Sequence, residues 1–279
     1  MQGRICLVTG ATDGIGFVTA RELARAGATV IVAGRDPAKG LRTLEQIRCD
    51  TGNPDVVFEQ ADLSLMAEVR ELAAAVRAAY PRLDVLVNNA GGMFARRQET
   101  AEGLEHTFAL NHMAYFLLTG LLREPLAAAP AARVVNVASA MHRGAGLDFD
   151  DLQLRHGYDG WRAYRRSKLM NVMFTYALAR RLEDQPITAN SLHPGFVRSR
   201  FGHNNRNLGG LGLRLAQRFT AISPEAGART SLHLATSPEL EGVSGRYFVN
   251  CAVTDSSPES RDAAAQERLW QESTALCGL

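Results

Sequence analysis

The chain has 279 residues, 46% of them hydrophobic, which is enough to bury one large core. Its formal net charge is +2, with Lys and Arg scattered among acids, so no field argues for nucleic acid or an anionic membrane surface. Four distant cysteines (Cys6, Cys49, Cys251, Cys277) read as reduced thiols, and neither a signal peptide nor a run near the roughly 18 apolar residues of a membrane span is present; the expectation is a soluble, cytoplasmic protein.

In chain order, the first predicted element is a short buried strand, Ile5 to Val8. It runs directly into Thr9-Gly10-Ala11-Thr12-Asp13-Gly14-Ile15-Gly16 and then a helical stretch through Ala26. Strand, glycine turn and helix form a phosphate cradle: glycines allow close backbone approach, and a helix N-terminus offers unpaired N–H groups. Further apolar runs follow at Thr29 to Ala33, Val56 to Gln60, Val85 to Val87, Val134 to Val137, Thr188 to Leu192 and Tyr247 to Val249, alternating with helical patterns. They are nearly continuous rather than period-two, as in strands covered by helices on both faces. The prediction is an α/β fold, a doubly wound parallel sheet of seven strands, in one domain spanning 1–279.

Ser139 follows the fifth strand, where its hydroxyl either faces the ligand edge or caps the next turn. The segment from Met141 to Trp161 and the glycine- and asparagine-rich segment from Phe196 to Leu213 read as functional loops, with 196–220 expected to form a substrate lid. Between them Tyr164-Arg165-Arg166-Ser167-Lys168 places a phenol and an ammonium four residues apart on one helical face. The cation is expected to stabilise the phenolate and draw the tyrosine pKa toward working pH. The seven histidines (His106, His112, His142, His156, His193, His203, His233) show no metal-ligand spacing; His142 and His203 lie in the two loop segments and are candidates to touch substrate.

The glycine pattern T-G-x-x-x-G-x-G, Asn88-Asn89-Ala90-Gly91, Asn111, Ser139 and the Tyr164/Lys168 pair, in this order over nearly the whole chain, resemble the classical short-chain dehydrogenase/reductase family. The resemblance implies a Rossmann-type fold and hydride transfer between a nicotinamide cofactor and a carbonyl or alcohol, with Tyr164 as general acid/base and Ser139 holding the reacting oxygen. It also implies that Lys168 bonds the nicotinamide ribose and that Asn111 kinks its helix and orders a water leading from the lysine to solvent. Gly10, Thr12, Asp13, Gly14, Ile15 and Gly16 would cradle the pyrophosphate. Asp62 and Leu63 would face adenine, although Asp62 could simply cap the helix near Ser64. Asn89, Ala90 and Gly91 would line the adenosine and nicotinamide ribose. Pro194, Gly195, Val197 and Ser199 match the P-G motif that binds the carboxamide, with Ser199 where the family often has Thr.

Cofactor choice rests on the end of the second strand, where Gly34 and Arg35 precede Asp36. A guanidinium suits a 2′-phosphate, so NADP(H) is expected to be preferred, with NAD(H) as the alternative; Asp36 and Asp13 oppose this if either is aimed at the phosphate, unless Asp36 merely caps the next helix. Ser223-Pro224-Glu225 through Ser231, Ser237-Pro238-Glu239, Gly242 through Phe248 and Arg268-Leu269-Trp270, the last within an expected C-terminal extension at 254–279, resemble the retinol dehydrogenase-like branch. That branch handles lipophilic alcohols and carbonyls, but the hydrophobic anchor of its membrane-bound members is not expected in this chain, so retinoid specificity does not follow. The expected activity is alcohol–carbonyl interconversion on a bulky lipophilic molecule. Ring C=C reduction of an enone and a non-catalytic NADP(H) sensor are the alternatives. The resemblance further implies a homodimer or homotetramer.

Overall fold

The computed structural model describes residues 1–197 and 222–279. Its strands are β1 (Ile5–Thr9), β2 (Thr29–Gly34), β3 (Val56–Gln60), β4 (Val85–Asn88), β5 (Ala132–Val137), β6 (Ile187–His193), β7 (Tyr247–Val249) and β8 (Ala252–Val253). They form one sheet in the order β3-β2-β1-β4-β5-β6-β7-β8. The seven expected strands are present and parallel. An eighth, β8, pairs antiparallel with β7 through Phe248↔Val253 and Val249↔Ala252. Its two residues are both exposed, too short a run to leave a periodic signal.

The helices are α1 (Gly14–Arg25), α2 (Pro37–Thr51), α3 (Met66–Ala79), α4 (His106–Phe108), α5 (Ala114–Leu121), α6 (Arg123–Ala127), α7 (Gly160–Arg181), α8 (Pro224–Thr236) and α9 (Ala263–Cys277). Alternation along the strands sends successive side chains to opposite cores. Leu7, Ile31, Leu86 and Val134 pack with residues of α3, α5, α7 and α9. Cys6, Val8, Val32, Val87 and Val135 face the other way, toward α1 and α8. Each large apolar side chain so buried contributes about 1.5–3 kcal/mol relative to exposure. Among the described residues no helix is long and apolar enough to cross a membrane.

Helix entry is set by short polar side chains: Asp13 accepts from Gly14 N, Asp36 from Lys39 N and Asp159 from Arg162 N. The helical run after β4 is not uniform. Between α4 and α5 lies a five-residue π-helical segment, Ala109–Met113, with Asn111 at its centre. Such a wide turn rotates the residues inside it relative to a regular helix, and π-turns recur at functional sites.

The sheet order reverses between β1 and β4, so the loops leaving these two strands diverge and open a crevice at their C-terminal ends. The turn from β7 to β8 holds Asn250 at φ 50° and Cys251 at φ 64°. Two consecutive left-handed residues match a type I′ hairpin, in which glycine is preferred at the second place. Replacing Cys251 by Gly removes the steric cost of its Cβ there while keeping the backbone N–H that Thr230 Oγ1 accepts. Cys251→Gly is therefore expected to raise stability by about 0.5–1 kcal/mol, read by urea unfolding; a loss of stability would contradict the strain assigned to this turn.

Candidate active site

The C-terminal ends of β1 and β4 are laced together by Thr9 and Asn89. Thr9 Oγ1 accepts from Asn89 N at 2.9 Å and Ala90 N at 3.0 Å, and donates to Val87 O at 3.3 Å. Asn89 Nδ2 returns a bond to Thr9 O at 2.9 Å and reaches Gly10 O at 3.2 Å. Gly10 is at φ 62°, and a Cβ there would lie 2.7 Å from Ala90 Cα. At Gly16 a Cβ would lie 2.4 Å from Gly10 O and 2.5 Å from Asn89 Nδ2. These glycines are required by close approach, and the cradle they form at the α1 N-terminus fits a pyrophosphate. Ile15 and Val197 converge on Gly227 of α8, where an added Cβ would meet Val197 Cγ2 at 2.6 Å and Ile15 Cγ1 at 3.2 Å. The segment after Pro194 and Gly195 thus lies beside the glycine turn. Ser199, His203 and nearly all of the expected 196–220 lid lie outside the described residues.

Ser139 ends the path from β5 in extended conformation and N-caps the following turn, its Oγ accepting from Met141 N at 3.2 Å. The Ser139 side chain also hydrogen-bonds the Tyr164 phenol. Lys168, one turn further along α7, is buried, and its Nζ donates to Val137 O at 2.8 Å. Nζ lies 5.8 Å from the Tyr164 ring centroid and 5.6 Å from that of Tyr115. Tyr115, from α5, is buried with its hydroxyl unpartnered among the described residues. Asn111 clamps the neighbouring loop: Oδ1 accepts from Gly92 N at 2.8 Å, while Nδ2 donates to Gly92 O and Ser167 Oγ, both at 2.9 Å. A Cβ on Gly91 would lie 3.3 Å from Asn111 Oδ1 and 3.5 Å from Lys168 Nζ. Ser139, Tyr164, Lys168, Asn111 and the Ala90–Gly91 loop therefore meet at one place.

The electrostatics correct one expectation. Burial pushes the Tyr164 phenol up to about 12, against the lowering effect of its Ser139 bond, and burial brings Lys168 down to about 7. The lysine's hydrogen-bond partner is a neutral carbonyl, which does not offset the desolvation of its charge. His142 is also corrected: it is fully buried and bonded to backbone on both ring nitrogens rather than facing substrate. Asp62 serves the local chain, accepting from Ser64 N at 3.0 Å and Ser64 Oγ at 2.7 Å. The helix itself begins later, at Met66, where Glu102 caps it through Met66 N and Ala67 N. Leu63 and Ala90 are buried, while Arg35 is exposed directly after β2. Thr9, Tyr115 and Glu102 carry no signal in the sequence, since their roles depend on partners 35 to 81 positions away or on unrelated elements. Among the described residues no cluster of His, Cys, Asp or Glu suits a metal ion.

The described geometry agrees with comparisons to known proteins. Residues 4–208 match the family model for short chain dehydrogenases. Human retinol dehydrogenase 12 is 42% identical over 279 residues, covering all of this chain and 88% of the relative, and human retinol dehydrogenase 14 is 37% identical with the same coverage. Among solved structures, an uncharacterised protein from Mycobacterium paratuberculosis aligns with TM-score 0.80 and 32% identity over 99% of this chain and 94% of its own. The Pseudomonas aeruginosa RhlG/NADP active-site complex aligns with TM-score 0.71 and 28% identity, over 89% and 94% of the two chains.

The depressed Lys168 value has a thermodynamic consequence. Between about 7 and its ordinary 10.5, the unfolded chain holds a proton that the folded chain has released, so folding stability climbs with pH across that window. In Lys168→Met this contribution vanishes, and the slope of unfolding free energy against pH over that window is expected to fall by up to about 1.4 kcal/mol per pH unit. Denaturant melts at stepped pH test it, and an unaltered slope would refute the burial assigned to this ammonium.

Proposed function

The chain belongs to the short chain dehydrogenase family, and from that premise we propose that it is an NADP(H)-dependent oxidoreductase interconverting an alcohol and a carbonyl on a bulky lipophilic molecule. The observation that carries the reading is the hydrogen-bonded Ser139–Tyr164 pair with Lys168 beside it, at the ligand edge of a parallel sheet.

When bound, the nicotinamide supplies or accepts the hydride. The chain's own part is the proton. With its pKa near 12, Tyr164 stands as a phenol at neutral pH and can donate to a carbonyl oxygen that gains charge. Ser139, already within hydrogen-bonding reach of that phenol, holds the same oxygen and fixes its direction. Lys168, near 7, can hold or release a proton at Nζ around neutrality, and its charge favours the phenolate that alcohol oxidation requires. Gly10 and Gly16 would admit the pyrophosphate, and the Ala90–Gly91 loop would lie along the ribose.

NADP(H) preference is supported by Arg35 being exposed after β2 while both nearby carboxylates are engaged elsewhere. Asp13 caps α1, and Asp36 caps α2 and pairs with Lys39 at 3.9 Å. A lipophilic substrate is supported by Trp161, one turn before Tyr164 and 41% exposed, with Phe196 at 43% and Ile222 at 39% beside the P-G segment. The relatives' names point the same way.

A panel of lipophilic aldehydes, ketones and alcohols with NADPH/NADP and NADH/NAD, followed at the nicotinamide absorbance, tests the whole reading. Turnover is expected with NADP(H) preferred, and Arg35→Ala is expected to erode that preference by about tenfold or more. Tyr164→Phe should lower kcat by about 10²–10⁴-fold while cofactor affinity stays within a factor of a few. Retained turnover in that variant would exclude the phenol as proton donor.

A further inference from the structure

His142 sits three residues beyond Ser139, inside the short turn that Ser139 caps. Its Nδ1 lies 2.6 Å from Ser139 O, and its Nε2 lies 3.0 Å from Ser257 N. A carbonyl oxygen only accepts and a backbone N–H only donates. The two contacts therefore agree on one state of the ring, a neutral imidazole with its proton on Nδ1. Burial, the leading influence on this group, also lowers its pKa and disfavours the cation. The Tyr247 ring packs edge-on at 4.9 Å and closes a third side.

Ser257 is itself held in place. The segment that contains it follows β8, and Arg143 donates to Asp255 O. Ser260 Oγ bonds Ser256 Oγ at 2.7 Å and Ser257 O at 2.6 Å. Tyr176 Oη, on α7, meets Ser256 Oγ at 2.7 Å. The chain of contacts from Ser139 through His142 and Ser257 to Tyr176 thus closes on the helix that carries Tyr164 and Lys168. Serine and tyrosine approach each other from different elements, and this ring of bonds fixes one against the other.

We propose that His142 is a positioning residue for Ser139: its Nδ1–H holds the Ser139 carbonyl, and the C-terminal segment at Ser257 holds the ring in the orientation that allows it. The inference rests on the reading of Ser139 as the group that directs the reacting oxygen. It adds to that reading a C-terminal segment that acts on the catalytic turn from outside the pocket.

Two substitutions separate the bonds. In Asn the amide nitrogen takes the place of Nδ1, so His142→Asn retains a donor toward Ser139 O and loses the acceptor for Ser257. In Gln the terminal amide reaches the place of Nε2, so His142→Gln retains an acceptor for Ser257 N–H and loses the side-chain donor toward Ser139 O, leaving only the backbone His142 N–H at 3.2 Å. With folding checked by thermal melts, His142→Gln is expected to lower kcat at least 30-fold with KM for the cofactor within about twofold. His142→Asn should restore most of that, remaining within about fivefold of wild type. Equal kcat losses, no loss in either variant, or a milder loss in Gln would overturn the proposal, because a merely structural role moves melting temperature without that order in kcat.

Nitrogen-15 histidine spectra of the wild type provide a readout independent of turnover, with the His142 resonance assigned by its disappearance in His142→Asn. A neutral Nδ1–H tautomer between pH 6 and 8 is expected; an Nε2–H tautomer or a cation would overturn the bonding scheme. A wild type that turns over no alcohol or carbonyl would defeat the proposed function, and this inference with it. A turning-over wild type without the Asn–Gln order would defeat this inference alone.

Discussion

The constraint on which the site depends is the shared direction of seven strands. Parallel pairing sends every C-terminal end to one edge, so the loops after β1, β4, β5 and β6 must fit into the same small volume. The chain meets this crowding with backbone rather than side chains. Gly10 lies against Ala90 Cα, Gly16 against Gly10 O, and Gly91 against the Asn111 amide and the Lys168 ammonium. Where a side chain does enter, it is polar and doubly used: Thr9 ties two loops with one hydroxyl, and Asn111 holds both the N–H and the carbonyl of Gly92. Loops held so firmly on a rigid sheet suit a site that must align donor, acceptor and substrate at once.

Beneath that edge the sheet has a polar floor. Asn88 and Asn136, directly opposed in β4 and β5, are bonded at 2.9 Å, and Thr119 of α5 and Thr175 of α7 continue the network at 3.0 Å each. All four are buried. A buried amide ladder of this kind specifies one register for two strands and their covering helices, because a shift leaves groups unpaired at a cost of about 1–3 kcal/mol each. It also lies below a buried phenol and a buried ammonium, whose pKa values burial drives apart to about 12 and about 7. Titratable groups placed where solvation is poor are costly for folding and useful for proton transfer.

What the sequence makes legible follows from the range of the physics involved. The seven parallel strands are readable because burial on both faces writes itself as continuous apolar runs, and the glycine turn because strand, turn and helix are contiguous. The Tyr164–Lys168 pair is readable because helical geometry fixes i and i+4. Less is readable where an interaction joins distant segments or depends on solvation. The β8 strand needs only two residues once Asn250 and Cys251 turn the chain. In sequence Tyr164 and Lys168 look like groups that interact mainly as charges, whereas depth of burial governs them, and depth is a property of the packed molecule. His142 looks like a loop residue at a pocket mouth because the donor to its Nε2, Ser257 N–H, comes from 115 positions away.

Three acidic residues that the sequence places beside the expected cofactor illustrate the same point at the level of charge. Read in sequence, Asp13, Asp36 and Asp62 are anions beside the place where a dinucleotide would lie. In the fold each one bonds its own neighbourhood: Asp13 to Gly14 N, Asp36 to Lys39 N and Asp62 to Ser64. A short aspartate side chain reaches a backbone N–H one to three residues ahead more readily than any distant group, which is why it competes so well at turns and helix starts. Lys39 adds a counter-charge to Asp36. Arg35, directly after β2, is exposed and has a longer reach. At this corner each aspartate bonds its own backbone, while Arg35 is exposed directly after β2.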